Sequence, residues 1–142
     1  SKSFEADMIE SCIRDLHLES SVERVGRVSD EDLSAFLSLS TFCIFPSYYE
    51  GFGLPVIEAM VAETIVVTTH GGSLKEIAGP SLICDPNDKD SVAQKMLEAF
   101  SLSQSKREEL IREGHAWAKK FSWDRAACET IAVYNTIINP SI

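Results

Sequence analysis

The sequence lacks long apolar runs, and no uninterrupted apolar stretch exceeds four residues. A membrane-spanning helix needs about 20 apolar residues, and a secretory signal needs an apolar core of about 7–15. The sequence therefore predicts neither kind of segment. A cytoplasmic location is expected.

Basic residues are also scarce, because 13 Lys and Arg stand against 22 Asp and Glu, for a formal net charge of -9. Proteins that bind a nucleic-acid backbone contact its phosphates with clustered cations. No basic face stands out in this sequence. Nucleic acid is therefore not an expected partner.

Closely spaced cysteine pairs are missing as well. The four cysteines, Cys12, Cys43, Cys84 and Cys128, are scattered through apolar surroundings, whereas structural zinc sites use cysteines a few residues apart. We therefore expect no metal site. The spacing favours four reduced, buried thiols, as in other cytoplasmic proteins.

What the sequence does contain is an alternation of short buried strands with amphipathic helices. Strands are predicted near 22–26, 41–45, 64–69 and 81–84. Helices are predicted near 4–18, from a cap at Ser29 through Leu37, and near 55–62, 73–78, 88–101, 104–120 and 123–138. Parallel strands need a helix to return the chain between them. The order thus predicts one α/β domain over residues 1–142, an open parallel sheet flanked by helices.

Glycines mark the edge of this sheet where a ligand site is expected. Five of the seven glycines follow predicted strands: Gly26, Gly51, Gly53, Gly71 and Gly72. In an open parallel sheet the ligand crevice lies beyond the carboxyl ends of the strands. Glycine there lets a backbone approach a ligand, although ordinary tight turns use it too.

The stretch from Pro46 to Glu58 carries the most chemistry. Gly51 and Gly53 bracket Phe52 just before a helix, so free backbone amides there favour an anion. Glu58, on the otherwise apolar first part of that helix, is expected to need a donor such as a ribose diol. The alternatives are a carboxylate stabilised by the helix dipole at Glu58 and an exposed loop acid at Glu50.

Together these residues resemble a known pattern. Glu50 and Glu58 enclose Gly-Phe-Gly-Leu-Pro after a strand that ends in Phe-Pro-Ser, which resembles the E-x(7)-E motif of the group 1 glycosyltransferases. Further stretches are similar to that family in the same order: 25–33, 71–76, 85–88 and 121–123. The resemblance therefore covers nearly the whole chain.

The resemblance implies the nucleotide-sugar donor domain of a retaining enzyme of GT-B architecture, a Rossmann-like half that lacks its first strand here. It makes Glu50 the catalytic candidate, in hydrogen bonds with sugar hydroxyls, and Glu58 the ribose ligand. The backbone of Gly51, Phe52, Gly53 and Leu54 would approach the diphosphate and sugar, and Arg27 and Val28 would lie by the base. No cofactor is implied beyond the nucleotide-diphosphate sugar, which is the donor substrate.

Departures from the family pattern concern packing and completeness. Glu63 and Ile65 stand where the family usually has Gly and Pro. The family also holds the diphosphate with an Arg and a Lys from an early loop, and its acceptor-binding half precedes this domain. We therefore expect a partial domain of a larger enzyme, inactive alone, whose missing N-terminal half could also attach it to the inner membrane face.

Two other functions stay open on the sequence alone. A nucleotide-sugar epimerase has a half-domain of similar appearance and would turn over its donor without an acceptor. A non-catalytic domain that binds a nucleotide or a protein partner would keep the motif as scaffolding.

Overall fold

The computed structural model describes residues 4–138 and divides the chain into two compact units, residues 1–30 and 31–142. Helix α1 spans Phe4–Asp15 in the first unit, within the predicted range. A turn follows it, and residues 22–28 have no regular secondary structure. In this unit Arg24 Nη1 donates to Glu10 Oε1 at 2.9 Å.

The predicted strand at 22–26 is wrong, because this segment has no regular secondary structure and joins no sheet. Its two large apolar residues, Val22 and Val25, are 42% and 55% exposed. They are separated by Glu23 and Arg24, and the Arg24 side chain pairs with α1. A strand gains stability from a ladder partner and a buried face, and two exposed valines provide too little of either.

The sheet consists of three parallel strands in the order β1-β2-β3. They are β1 Cys43–Phe45, β2 Val66–Thr68 and β3 Leu82–Ile83. Ile44 pairs with Val67, which pairs in turn with Leu82. The parallel sheet is confirmed, with strands shorter than predicted.

Six further helices accompany the sheet within the described residues. They are α2 Asp30–Leu39, α3 Leu54–Val61, α4 Leu74–Ile77, α5 Lys89–Ser101, α6 Gln104–Ala118 and α7 Trp123–Ile138. Side chains cap three of them: Asp88 accepts from the Asp90 amide, Ser103 from the Lys106 amide and Ser122 from the Arg125 amide. These caps fix where α5, α6 and α7 begin.

The core lies on both faces of the sheet, because successive residues of β2 point to opposite sides. Val66 faces a cluster built with α3 and α4, which includes Val56, Met60 and Leu74. Val67 faces a second cluster with Cys84 and Ala99. The helices of the second unit thus cover both faces, as predicted for a three-layer α/β fold.

The cysteines differ from the prediction of four buried thiols. All four are free, but Cys12 and Cys128 are exposed, Cys43 is half-buried and only Cys84 is buried. Burial raises the pKa of the Cys43 and Cys84 thiols. Cys128 lies on α7, a helix without buried residues, and Cys12 is exposed on α1. Apolar neighbours in the sequence therefore did not ensure that these two thiols are buried.

No helix among residues 4–138 is long and apolar enough to cross a membrane.

Candidate functional site

The candidate site lies where the loops that follow β1 and β2 meet. Glu50 and Gly72 form an isolated parallel bridge, and the Thr69 hydroxyl donates to the Ser47 carbonyl at 2.6 Å. A Cβ at Gly71 would collide with the carbonyl of Tyr48. Glycine at 71 therefore lets the two loops touch backbone to backbone at the carboxyl end of the sheet.

Ser73 ties the second loop to the first through a single hydroxyl. Its Oγ lies 2.9 Å from the Glu50 carbonyl oxygen and 2.8 Å from that of Phe52, and its amide also donates to the Glu50 carbonyl. Ser73 precedes α4, but its side chain makes no capping bond to that helix. The sequence reasoning missed this role, because the partners lie 21 and 23 residues away and no local pattern reports them.

Glu50 is half-buried and held in place from two directions. Its backbone is bonded to Ser73, and its Oε1 accepts from the Ser47 hydroxyl at 2.7 Å. Among residues 4–138, no group donates to its Oε2. One carboxylate oxygen is thus anchored, and the other is available to a donor such as a sugar hydroxyl.

The glycine loop, residues 51–54, carries the backbone from Glu50 into α3. Gly53 caps this helix at a φ of 100°, a left-handed conformation that glycine adopts without strain. A Cβ there would lie 2.7 Å from Leu74 Cδ2, so a side chain would have to displace the fully buried Leu74. Glycine at 53 therefore fixes both the start of α3 and its contact with α4.

The backbone amides of residues 51–54 donate to no other group within the described part of the chain. They lie at the positive end of the dipole of α3, an eight-residue helix with Pro55 near its start. Unpaired amides at such a helix end favour an anion. An anion site at Gly51 and Gly53 stays a prediction, and these unpaired amides are its support.

Glu58 differs from its expectation in two respects. It is exposed, so the argument that a buried carboxylate there needs a donor is wrong. It is also the fifth residue of α3, beyond the first turn where the helix dipole acts most strongly. The apolar residues around it in sequence, Val56, Ile57, Ala59 and Met60, are buried on the other side of the helix. Their period leaves Glu58 facing solvent.

Arg27 and Val28 belong to the first unit, in the irregular segment that follows Gly26. Arg27 is exposed and Val28 is half-buried. The remaining candidates, Glu50 to Leu54 and Glu58, lie together on the glycine loop and α3. No group of three or more His, Cys, Asp or Glu side chains within residues 4–138 is arranged to hold a metal ion.

The sequence profile of the glycosyl transferases group 1 family matches residues 4–117. The chain belongs to this family. The chain is also similar to the solved structure of sucrose-phosphate synthase from Thermosynechococcus elongatus, on which it superposes with a TM-score of 0.86. The two are 28% identical, and the match covers 99% of this chain and 36% of that chain. The expected GT-B family fold is confirmed.

Curated relatives of this glycosyltransferase domain include two mannosyltransferases. It is 34% identical to O-antigen chain mannosyltransferase B of Escherichia coli over 96% of this chain and 36% of that protein. It is 35% identical to MMP alpha-(1->4)-mannosyltransferase of Mycolicibacterium hassiacum over 91% of this chain and 32% of that protein. The chain thus spans about a third of the length of these relatives.

Proposed function

We propose that this chain is the donor-binding part of a larger retaining glycosyltransferase, which transfers a hexosyl group from a nucleotide-diphosphate sugar to an acceptor. The observation that carries the proposal is the juxtaposition of four unpaired amides, on the glycine loop, with the anchored carboxylate of Glu50. The amides suit a diphosphate, and a carboxylate oxygen suits sugar hydroxyls. Family membership supports the same assignment.

The proposed roles follow the order of groups in the donor. Gly51, Phe52, Gly53 and Leu54 would hold the diphosphate and sugar, and Glu50 would bind the sugar as the catalytic candidate. The exposed carboxylate of Glu58 would bind the ribose. For Glu58 the support is its position in the motif alone, because an exposed carboxylate needs no protein partner.

Charge requires a second contribution from outside this chain. A diphosphate beside Glu50 and Glu58, on a chain of net charge -9, is repelled unless cations offset it. We propose that an Arg and a Lys upstream of this sequence supply them, and that a separate N-terminal half binds the acceptor. The proposal keeps a cytoplasmic location, supported by the short apolar runs, with any contact to the inner membrane face made by that other half.

Calorimetric titration of the full-length enzyme with UDP, GDP and ADP tests donor binding. We expect at least one nucleoside diphosphate to bind, and failure of all three would contradict the proposal.

Glu50→Gln should lower sugar transfer by about tenfold to a hundredfold, the loss of one charge-assisted hydrogen bond, while nucleoside diphosphate binding persists. Glu113→Gln, an exposed change on α6, is the matched control. Donor turnover without any acceptor would instead favour the epimerase alternative.

A further inference from the structure

Three aromatic rings connect the end of α6 to the glycine loop. The ring of Phe121 meets that of Phe52 edge to face, with centroids 6.2 Å apart and planes at 88°. The ring of Phe121 also contacts that of Trp117, with centroids 6.0 Å apart and planes at 61°. Both geometries are those in which aromatic pairs attract one another.

Trp117 and Phe121 are themselves fixed to the core. Trp117 Nε1 donates to the Ile77 carbonyl at 3.0 Å, and the Lys120 ammonium lies 4.0 Å from the centre of its ring. The ring lies so close to Gly79 that a Cβ there would come within 2.5 Å of Trp117 Cδ1. Both aromatic residues pack against the cluster that contains Val56 and Leu74. Phe121 is therefore a supported contact for Phe52.

Ser73 also restrains the glycine loop, but it does so through backbone carbonyls. Its Oγ faces the carbonyls of Glu50 and Phe52, and a hydroxyl has one proton to donate to two acceptors. Phe52 is 45% exposed, and the loop amides bond to no described group. The edge-to-face contact with Phe121 therefore orients the Phe52 ring, which the hydrogen bonds from Ser73 do not involve.

We infer that Phe121 is a positioning residue: its ring holds Phe52, and through it the backbone amides of residues 51–54, in the geometry that receives the donor diphosphate. The inference rests on the proposed function for the identity of that ligand. The contact between Phe121 and Phe52 is observed whatever the ligand is, so the positioning of the loop can be tested separately. A fixed loop meets its ligand without first losing conformational entropy, so loosening it weakens binding.

The test compares Phe121→Leu with Phe42→Leu in the full-length enzyme. Phe42 is also half-buried, but it packs against the second cluster, with Val67 and Ala99, so it serves as a control for the loss of a core ring. Phe121→Tyr keeps the ring and should preserve the wild-type behaviour. Two quantities are measured for each variant: the NMR order parameters of the backbone N–H groups of residues 51–54, and affinity for UDP, GDP and ADP.

In Phe121→Leu we expect the order parameters of residues 51–54 to fall from about 0.85, the value of a rigid backbone, toward about 0.6, and affinity to fall about two- to twelvefold, the value of one aromatic pair. Phe42→Leu should lower the melting temperature without a loop-specific change. Unchanged order parameters at 51–54 in Phe121→Leu, or an equal fall in Phe42→Leu, would overturn the inference. If the wild type binds none of the three nucleotides, the proposed function fails, while the order parameters still decide whether Phe121 positions the loop.

Discussion

At the scale of single residues, Glu50 and Glu58 have the same chemistry but different surroundings. Glu50 is half-buried, with Oε1 bonded to Ser47, whereas Glu58 is exposed on the second turn of α3. The helix dipole acts mainly within the first turn, so it provides little reason for a carboxylate at 58. The structure therefore weakens the purely structural alternative for Glu58 and leaves ligand binding as the role to test.

Glu58→Gln in the full-length enzyme should weaken nucleoside diphosphate binding by about 1–3 kcal/mol, the scale of a charge-assisted hydrogen bond. Stability should hardly change, because the side chain is exposed. Calorimetric titration and thermal melts measure the two effects, with Glu113→Gln as control. Unchanged affinity together with a lower melting temperature would make Glu58 a structural residue.

Glu63 is a residue under backbone strain. It has a φ of 60°, and it follows α3 in a Schellman arrangement, in which the Thr64 amide donates to Ala59 and the Glu63 amide to Met60. Glycine is the usual residue at this position of the motif, and the resemblance noted from the sequence also places glycine there. A glutamate pays a steric penalty that glycine avoids.

Glu63→Gly should raise the free energy of unfolding by about 0.5–1 kcal/mol, because relief of the left-handed strain exceeds the added entropy of the unfolded chain. Urea unfolding measures the change. Glu63→Ala is the control, since it removes the carboxylate, which lies 3.6 Å from His115 Nδ1, without relieving φ. An equal gain from alanine would show that charge, not backbone conformation, is responsible.

At the scale of elements, the loops after β1 and β2 behave as one unit. Ser73 contacts the carbonyls of Glu50 and Phe52 in the first loop. These contacts join residues more than 20 positions apart, so a local sequence pattern does not predict them. Loss of its hydroxyl leaves the Glu50 carbonyl with only the Ser73 amide as a donor, removes the donor to the Phe52 carbonyl, and so loosens the glycine loop. Stability and ligand affinity should therefore change together.

Ser73→Ala should cost about 0.5–1.5 kcal/mol of stability, the scale of one hydrogen bond, and weaken nucleoside diphosphate binding. Ser81→Ala is a matched control, because the Ser81 hydroxyl donates locally to the Ala78 carbonyl at 2.6 Å and is also part-buried. Urea unfolding and titration with UDP, GDP and ADP are measured on both variants. If Ser81→Ala weakens binding as much as Ser73→Ala, the cross-loop bonds have no special part in the site.

Elements with a strong local signal were predictable from the sequence. Asp88 and Ser103 are caps by residue type, and the apolar period of α5 and α6 is regular. Contacts between distant residues were not predictable in this way. The pair Phe52 and Phe121 is separated by 69 positions in the chain, and the exposure of Glu58 depends on which side of α3 meets the sheet. Local periodicity reports an apolar face, but not the partner that covers it.

At the scale of the whole molecule, the chain spans about a third of its curated relatives and carries an acidic surplus. Under the proposed division of roles, it supplies the glycine loop and Glu50, but neither the acceptor site nor the cations for the diphosphate. The 142-residue chain alone should therefore show no sugar transfer. Incubation of the purified chain with radiolabelled UDP-, GDP- and ADP-sugars and candidate acceptors checks this, with the full-length enzyme as positive control. Transfer by the isolated chain would refute the division.

The isolated chain should also bind UDP, GDP and ADP weakly, with a salt dependence opposite to that of a cationic site. Its net charge of -9 repels a diphosphate, and raising the ionic strength from about 0.01 M to about 0.15 M shortens the Debye length from about 30 Å to about 8 Å. Screening reduces repulsion, so affinity should stay constant or rise with salt. In the full-length enzyme, with the proposed Arg and Lys present, affinity should fall over the same range. Calorimetric titrations at both salt concentrations distinguish the two cases. A fall in affinity with salt for the isolated chain would show that its own cations, not upstream ones, attract the diphosphate.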